Sequence, residues 1–323
     1  MSTSAWTVGG KFGGRWLSAA FSLLIVTLAG IVLWRLLRDI DLGKVAAAFL
    51  AQPMRNIVVA GAFTVAGYVT LTLYDVFALR IIGRQAVPLY VAALASFTSY
   101  TIGHSLGAAT LTGGLVRLRI YSPWGLGVLD VTKIAFVTGM TFWLGNAFVL
   151  GGAVSYAPGT ASVVDHLPVW INRAIGLTAL FGIACYLAWL AARPRAVGYA
   201  NWRLVLPSAR LTLFQIGIGA ADLTLITLAM YTLLPPDPAV GFVPVLIIFV
   251  TGTLLGTVSH VPSGLGVIEA ALLLGLPQFG KEELLAALLT FRVIYFVIPF
   301  LLATSVLALR ELGLIARPSA RDA

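Results

Sequence analysis

Eight long apolar runs, separated by short gaps that hold most of the charge, constrain this chain more than any other feature. They are Trp16 to Leu37, Ile57 to Leu79, Leu89 to Leu118, Val128 to Val154, Val169 to Ala192, Leu211 to Leu234, Phe242 to Leu276 and Leu284 to Leu309. About 20 apolar residues are what one helix needs to cross a hydrocarbon core roughly 30 Å thick. Lipid offers no partner to backbone N–H and C=O groups, so each run must be helical and satisfy them internally. Composition agrees: 59% of the 323 residues are hydrophobic and 10% are charged, where a soluble domain carries about 25% charged. The expected fold is all-α and polytopic, with six to eight transmembrane helices. The gaps are too short to bury a core of their own, so residues 1–323 read as a single membrane domain.

The formal net charge of +9 does not indicate a nucleic-acid partner. Seventeen of the 21 basic residues are Arg, mostly in the gaps between runs. That is the pattern produced by positive-inside sorting and anionic headgroups. It predicts a multi-pass membrane protein. The one cysteine, Cys185, lies inside an apolar run, forms no disulfide framework and is expected to be a small buried apolar side chain. The first run is followed by Arg35 and Arg38 and has no small-x-small cleavage site, so it does not resemble a signal peptide.

Two runs are interrupted. Leu89 to Leu118 contains Gly103, Gly107, Gly113 and Gly114; Phe242 to Leu276 contains Pro262, Gly264 and Gly266. The chain thus divides into halves of similar plan, 16–154 and 169–307, each with two clean spans, a broken segment and a further span. Asp75 and Asp222 recur in step, as do His104 and His260. Paired broken segments point to inverted-repeat transporters.

Arg193, Arg195, Arg203 and Arg210 place the loop 193–210 in the cytoplasm, whereas 155–168 and 235–241 have no Lys or Arg and fall outside. Two arrangements remain open. If each broken segment crosses fully, both termini lie outside, against Lys11, Arg15, Arg310, Arg317 and Arg321. If each is a re-entrant hairpin, both termini lie inside and the halves are inverted. Residues 38–55, expected to hold a short interfacial helix, are then external despite their basic residues.

Ionisable groups inside apolar segments are costly and mark functional positions. Asp75, Arg117, Asp222, Glu269 and Arg292 are of this kind; Asp130, Lys133 and Arg80 sit nearer span ends. Pairing that ties helices together, or snorkelling to the interface, is the plainer role open to each. Around Pro262, Gly264 and Gly266 freed backbone groups must face protein, water or ligand. A helix starting near Leu265 would aim its positive dipole end at the break, a natural phosphate site, and Arg117 offers a forked donor set beside the other break. None of His104, His166 and His260 has a second ligand at helical spacing, so no metal is expected. Without a phosphate-cradling P-loop or a nucleophile elbow, neither a nucleotide nor any other cofactor is expected.

Two blocks carry a family resemblance. The first runs from Ser99-Tyr100-Thr101 through His104 and Gly107 to Thr112-Gly113-Gly114-Leu115-Val116-Arg117-Leu118-Arg119-Ile120-Tyr121, with Trp124-Gly125-Leu126 and Phe142-Trp143-Leu144-Gly145. The second comprises Ala221-Asp222, Tyr231, Leu233-Leu234-Pro235 and Ser259-His260-Val261-Pro262-Ser263-Gly264-Leu265-Gly266-Val267-Ile268-Glu269. Together with Tyr74-Asp75 and Leu79-Arg80 they resemble the membrane flippase domain of the lysylphosphatidylglycerol synthetase/flippase, or multiple peptide resistance factor, family. Ser263 stands where that pattern places Gly. The resemblance implies a transporter, not an enzyme, moving aminoacylated phosphatidylglycerol from inner to outer leaflet. It implies a phospholipid partner, a possible separate synthase and a possible homo-oligomer. It also implies a headgroup site: Arg117 and the helix starts for the phosphodiester, Asp75, Asp222 and Glu269 for the ammonium groups, with His104 and His260 beside them. Other phospholipids, glycolipids or a non-transporting subunit role are the alternatives.

Overall fold

The computed structural model describes residues 41–106, 109–199 and 202–311. Trp16 to Leu37, Lys11, Arg15, Gly107, Arg317 and Arg321 lie outside the described residues. The chain is almost wholly helical, as its apolar runs require. Helix α1 (Leu42–Leu50) is the short helix expected in 38–55; the Asp41 carboxylate caps it, accepting from the backbone N–H groups of Gly43 and Lys44. There follow α2 (Met54–Ile81), α3 (Leu89–Leu106), α4 (Ala109–Tyr121), α5 (Val128–Tyr156), α6 (Pro158–Asp165) and α7 (Val169–Ala192). A two-stranded antiparallel hairpin, β1 (Ala196–Tyr199) and β2 (Trp202–Val205), leads into α8 (Ala209–Leu233) and α9 (Phe242–Val258). A 3-10 turn at Pro262–Gly264 precedes α10 (Val267–Gly275). Helix α11 (Lys281–Arg292) continues through a π-helical turn, Val293–Val297, into α12 (Ile298–Glu311).

Five described helical stretches are long and apolar enough to cross a membrane: α2, α5, α7, α8 and the continuous run Lys281–Arg310. The interrupted segments are different. At 1.5 Å per residue α3 and α4 reach about 27 and 20 Å, and α9 and α10 about 26 and 14 Å. Each pair folds back on itself as a helical hairpin. Within the first, a methyl placed at Gly113 would sit 2.9 Å from the Ser99 carbonyl oxygen. Within the second, Cβ atoms at Gly252 and Gly256 would press to 2.8 Å from Ala271 Cβ and 2.9 Å from Gly264 Cα.

The hairpins enter from opposite ends. The open end of the first packs in one apolar cluster: Val91, Ile120 and Tyr121 lie with Leu79 and Leu204. The open end of the second packs in another: Val245 and Leu276 lie with Leu233, Leu284 and Ala60. Helices α2 and α8 contribute opposite ends to these two clusters. An Arg84–Asp130 ion pair of 2.9 Å fastens the end of the first hairpin's base. At the other end Gln52 donates to the Leu233 carbonyl over 3.1 Å, which puts α1 beside the Lys- and Arg-free loop 235–241. The tip of the second hairpin, the turn Pro262–Gly264, rests on α3.

Several expectations change. Gly103, Gly113 and Gly114 lie within helices and do not break them; Gly113 serves close packing instead. Gly264 and Gly266 do sit at the break, with φ of +61° and +79°, where glycine pays no Cβ penalty. Ser263, beside them, also has positive φ. Cys185 is exposed rather than buried, because α7 turns most of its surface away from the bundle. Lys281, Glu282 and Glu283 form the first turn of α11 and not a gap; the two acids suit the positive end of a helix.

Candidate functional site

The charged residues converge where the hairpins meet the spans, and they are already paired. Asp75, fully buried on α2, accepts two hydrogen bonds from Arg117 on α4, from Nε over 3.0 Å and from Nη2 over 2.8 Å. The Tyr121 hydroxyl donates to the same carboxylate over 2.9 Å. The guanidinium also lies 4.7 Å above the Tyr100 ring. A forked pair with an aromatic platform is the strongest arrangement open to a buried arginine. Arg117 and Asp75, expected to hold a phosphate and an ammonium group, satisfy each other in this conformation and tie the first hairpin to α2.

The second hairpin has a counterpart. Arg292 Nε on α11 donates to Glu269 over 2.7 Å, Nη2 lies 2.6 Å from the same oxygen, and Nη1 donates to the Ser263 carbonyl over 3.1 Å. The other Glu269 oxygen accepts from the Gly266 N–H over 2.8 Å. The helix start at the break is thus capped by the chain's own carboxylate. The expected phosphate site there is taken, and Glu269 is not open to an ammonium group in this conformation.

Asp222 stands apart. It lies on α8 and is 8% exposed. Tyr74 of α2 donates its hydroxyl to Oδ2 over 3.2 Å, and Thr70 Oγ1 lies 3.3 Å from Oδ1. Among the described residues no Lys, Arg or His side chain pairs with it. Tyr74 packs edge-on to Tyr100 at 6.0 Å between ring centres, so Asp222 joins the Arg117 cluster through two aromatic rings. Of the histidines, His104 lies 5.8 Å from Tyr100, ring to ring, on the last turn of α3, and reaches the same neighbourhood. His260 is exposed with positive φ, its Nδ1 2.9 Å from the Val258 carbonyl oxygen, and is not brought into contact with the carboxylates.

Sequence reasoning missed the hydroxyls. Tyr68 donates to the Tyr295 carbonyl over 3.1 Å and accepts from Thr101 over 3.4 Å, joining α2, α3 and the π-helical turn. A π turn leaves carbonyls without their usual partners; Tyr68 supplies one. The available signal was spacing. Thr70 and Tyr74, four apart on one helix face, both reach Asp222; Arg117 and Tyr121, again four apart, both reach Asp75.

An apolar groove of about 660 Å3 runs beside the second hairpin, lined among others by Leu150, Gly176, Ile247, Ala270 and Leu274. Its rim residues Trp143 and Ile175 are exposed, facing the lipid in a membrane.

Spans, opposed hairpins and a buried acid–arginine centre together define a polytopic α-helical membrane protein. The chain is 33% identical over 245 residues to the uncharacterized protein slr0712 of Synechocystis and 32% identical over 246 residues to the inner membrane protein YbhN of Escherichia coli. Each alignment covers 74% of this chain and 75% of the relative. The chain belongs to the family these proteins represent. The phosphatidylglycerol lysyltransferase of Staphylococcus haemolyticus is also similar, 23% identical over 251 residues, which is 77% of this chain and 28% of that protein. No family model matches the chain.

Proposed function

We propose that the protein translocates a phospholipid with a cationic headgroup, of the aminoacylated phosphatidylglycerol class, from the inner to the outer leaflet. The observation that carries this reading is Asp222, an acid deep in the bundle that meets hydroxyls and, among the described residues, no cation. An acid there is expensive unless something positive visits it. The similarity to a phosphatidylglycerol lysyltransferase supports the lipid class. The apolar groove beside the second hairpin supplies a surface for acyl chains. The two halves, 16–154 and 169–307, act as inverted repeats whose hairpins close the path from opposite sides. Transport, and not catalysis, is the role assigned.

The test is a leaflet-exposure assay on purified protein in liposomes with fluorescent lysyl-phosphatidylglycerol. The wild type should expose the lipid to an outside quencher, and Asp222→Asn should not. If wild-type protein moves no labelled lipid, whether aminoacylated, unmodified or glycosylated, the transport reading is wrong and a non-transporting subunit of a lipid-modifying enzyme takes its place.

A further inference from the structure

We infer that Asp222 holds a proton when the headgroup site is empty and exchanges it for the substrate's ammonium group, so that the protein moves protons against lipid. This rests on the reading of Asp222 as the ammonium site. The inference comes from counting donors. Thr70 has one hydroxyl proton. Its oxygen lies 2.6 Å from the Gly67 carbonyl, a short bond, and 3.3 Å from Asp222 Oδ1. A charge-assisted O–H···O⁻ bond runs at about 2.5–2.7 Å, so Thr70 gives its proton to Gly67. Its lone pair then faces Asp222 Oδ1. That contact is a hydrogen bond only if Oδ1 itself carries the proton. The chain then reads Tyr74 O–H to Oδ2, Oδ1–H to Thr70, and Thr70 O–H to Gly67, with every donor placed.

The surroundings agree. The titratable groups facing Asp222 are tyrosines: Tyr74 and Tyr68 on α2, Tyr100 on α3 and Tyr295 in the π turn. The nearby charges, Asp75 and Arg117, cancel as a pair. Asp75 shows the contrast, since its carboxylate receives three donors, two from a cation. A neutral acid and a carboxylate–ammonium pair have the same net charge. The exchange therefore releases one proton to the water on the side to which the site is open and leaves the buried charge unchanged. The reverse exchange on the other side frees the lipid.

Infrared difference spectroscopy on purified protein in liposomes tests this. Wild type at neutral pH should show a protonated-carboxyl stretch that Asp222→Asn lacks, and adding lysyl-phosphatidylglycerol should remove it. Asn keeps the Tyr74 bond through its oxygen and donates to Thr70 through its nitrogen, so the variant should fold. A pH dye inside the same liposomes should report proton movement opposite to lipid movement, one for one, in wild type and none in the variant. A wild-type spectrum without the band overturns the inference. Lipid that moves while the band and the internal pH stay constant overturns it too and leaves transport standing. Liposomes in which wild type moves no lipid overturn both.

Discussion

Two acids of similar depth and opposite surroundings organise the interior. Asp75 is held by Arg117 and Tyr121, while Asp222 meets, among the described residues, Tyr74 and Thr70. Removing one partner of a buried pair strands the other charge, at a cost of about 3–5 kcal/mol. Arg117→Ala should therefore lower the melting temperature in detergent sharply, whereas Asp75→Asn with Arg117→Met should recover much of the loss. Equal melting of the single and double variants would show that the stranded Asp75 charge is not what lowers stability. Asp222→Asn should melt within a degree or two of wild type, because its hydroxyl partners remain satisfied. At this scale the sequence was informative about position and uninformative about pairing. It identified the deep charges, since charge in an apolar run is visible in one dimension. That Arg117 would find Asp75, 42 positions away, depends on how α4 folds back along α3, which itself packs on α2, and no spacing along the chain encodes this.

The elements meet through small residues. A Cβ at Gly219 on α8 would come within 2.6 Å of the Thr141 carbonyl oxygen and 2.9 Å of Gly145 Cα on α5. Without a hydrophobic driving force between helices in lipid, such close backbone approach is what holds a crossing together. Gln215 adds a hydrogen bond to Thr141 over 2.8 Å at the same interface. Gly219→Leu should force α5 and α8 apart, costing about 1–3 kcal/mol or more. A melting scan should show it, and Gly217→Leu, where nothing lies within 4 Å, should leave stability nearly unchanged. Spans were legible because their length and apolarity are local properties. The β-hairpin at 196–205, α6 and the π turn were not. The first two are short pieces in polar loops, and the third arises where Tyr68 reaches across from α2.

Over the whole molecule, the opposed hairpins assign the two faces. The arginine-rich loop with β1 and β2 belongs to the end where the first hairpin is based, and α1 and the loop 235–241 to the other. With Cys185→Ala as background, Arg84→Cys and Val205→Cys should react with an impermeant maleimide only after the inner face is opened. Gln52→Cys and Glu283→Cys should react in intact cells. Labelling of all four from one side would rule out this arrangement. The re-entrant arrangement was one of two that the loop charges left open. Each broken segment folds back as a helical hairpin, which agrees with the re-entrant arrangement. In this arrangement Lys44 and Arg55 fall outside with α1, against the usual charge rule.

The Arg84–Asp130 bridge, spanning the base of the first hairpin, has a mechanical consequence. A rod clamped at its root can swing only at its far end. The first hairpin is clamped there by this bridge and by the cluster around Leu79 and Tyr121, and the second by the cluster around Leu233 and Leu276. The two hairpins are rooted at opposite ends of the bundle, and the tip of the second rests on α3. On the transport reading proposed above, the free end of one hairpin lifts while the other stays seated, so the path opens from one side at a time. The ion pair Glu269–Arg292 ties the second hairpin to α11 near its tip, whereas Asp75–Arg117 lies one turn from the root of the first hairpin and adds to its clamp.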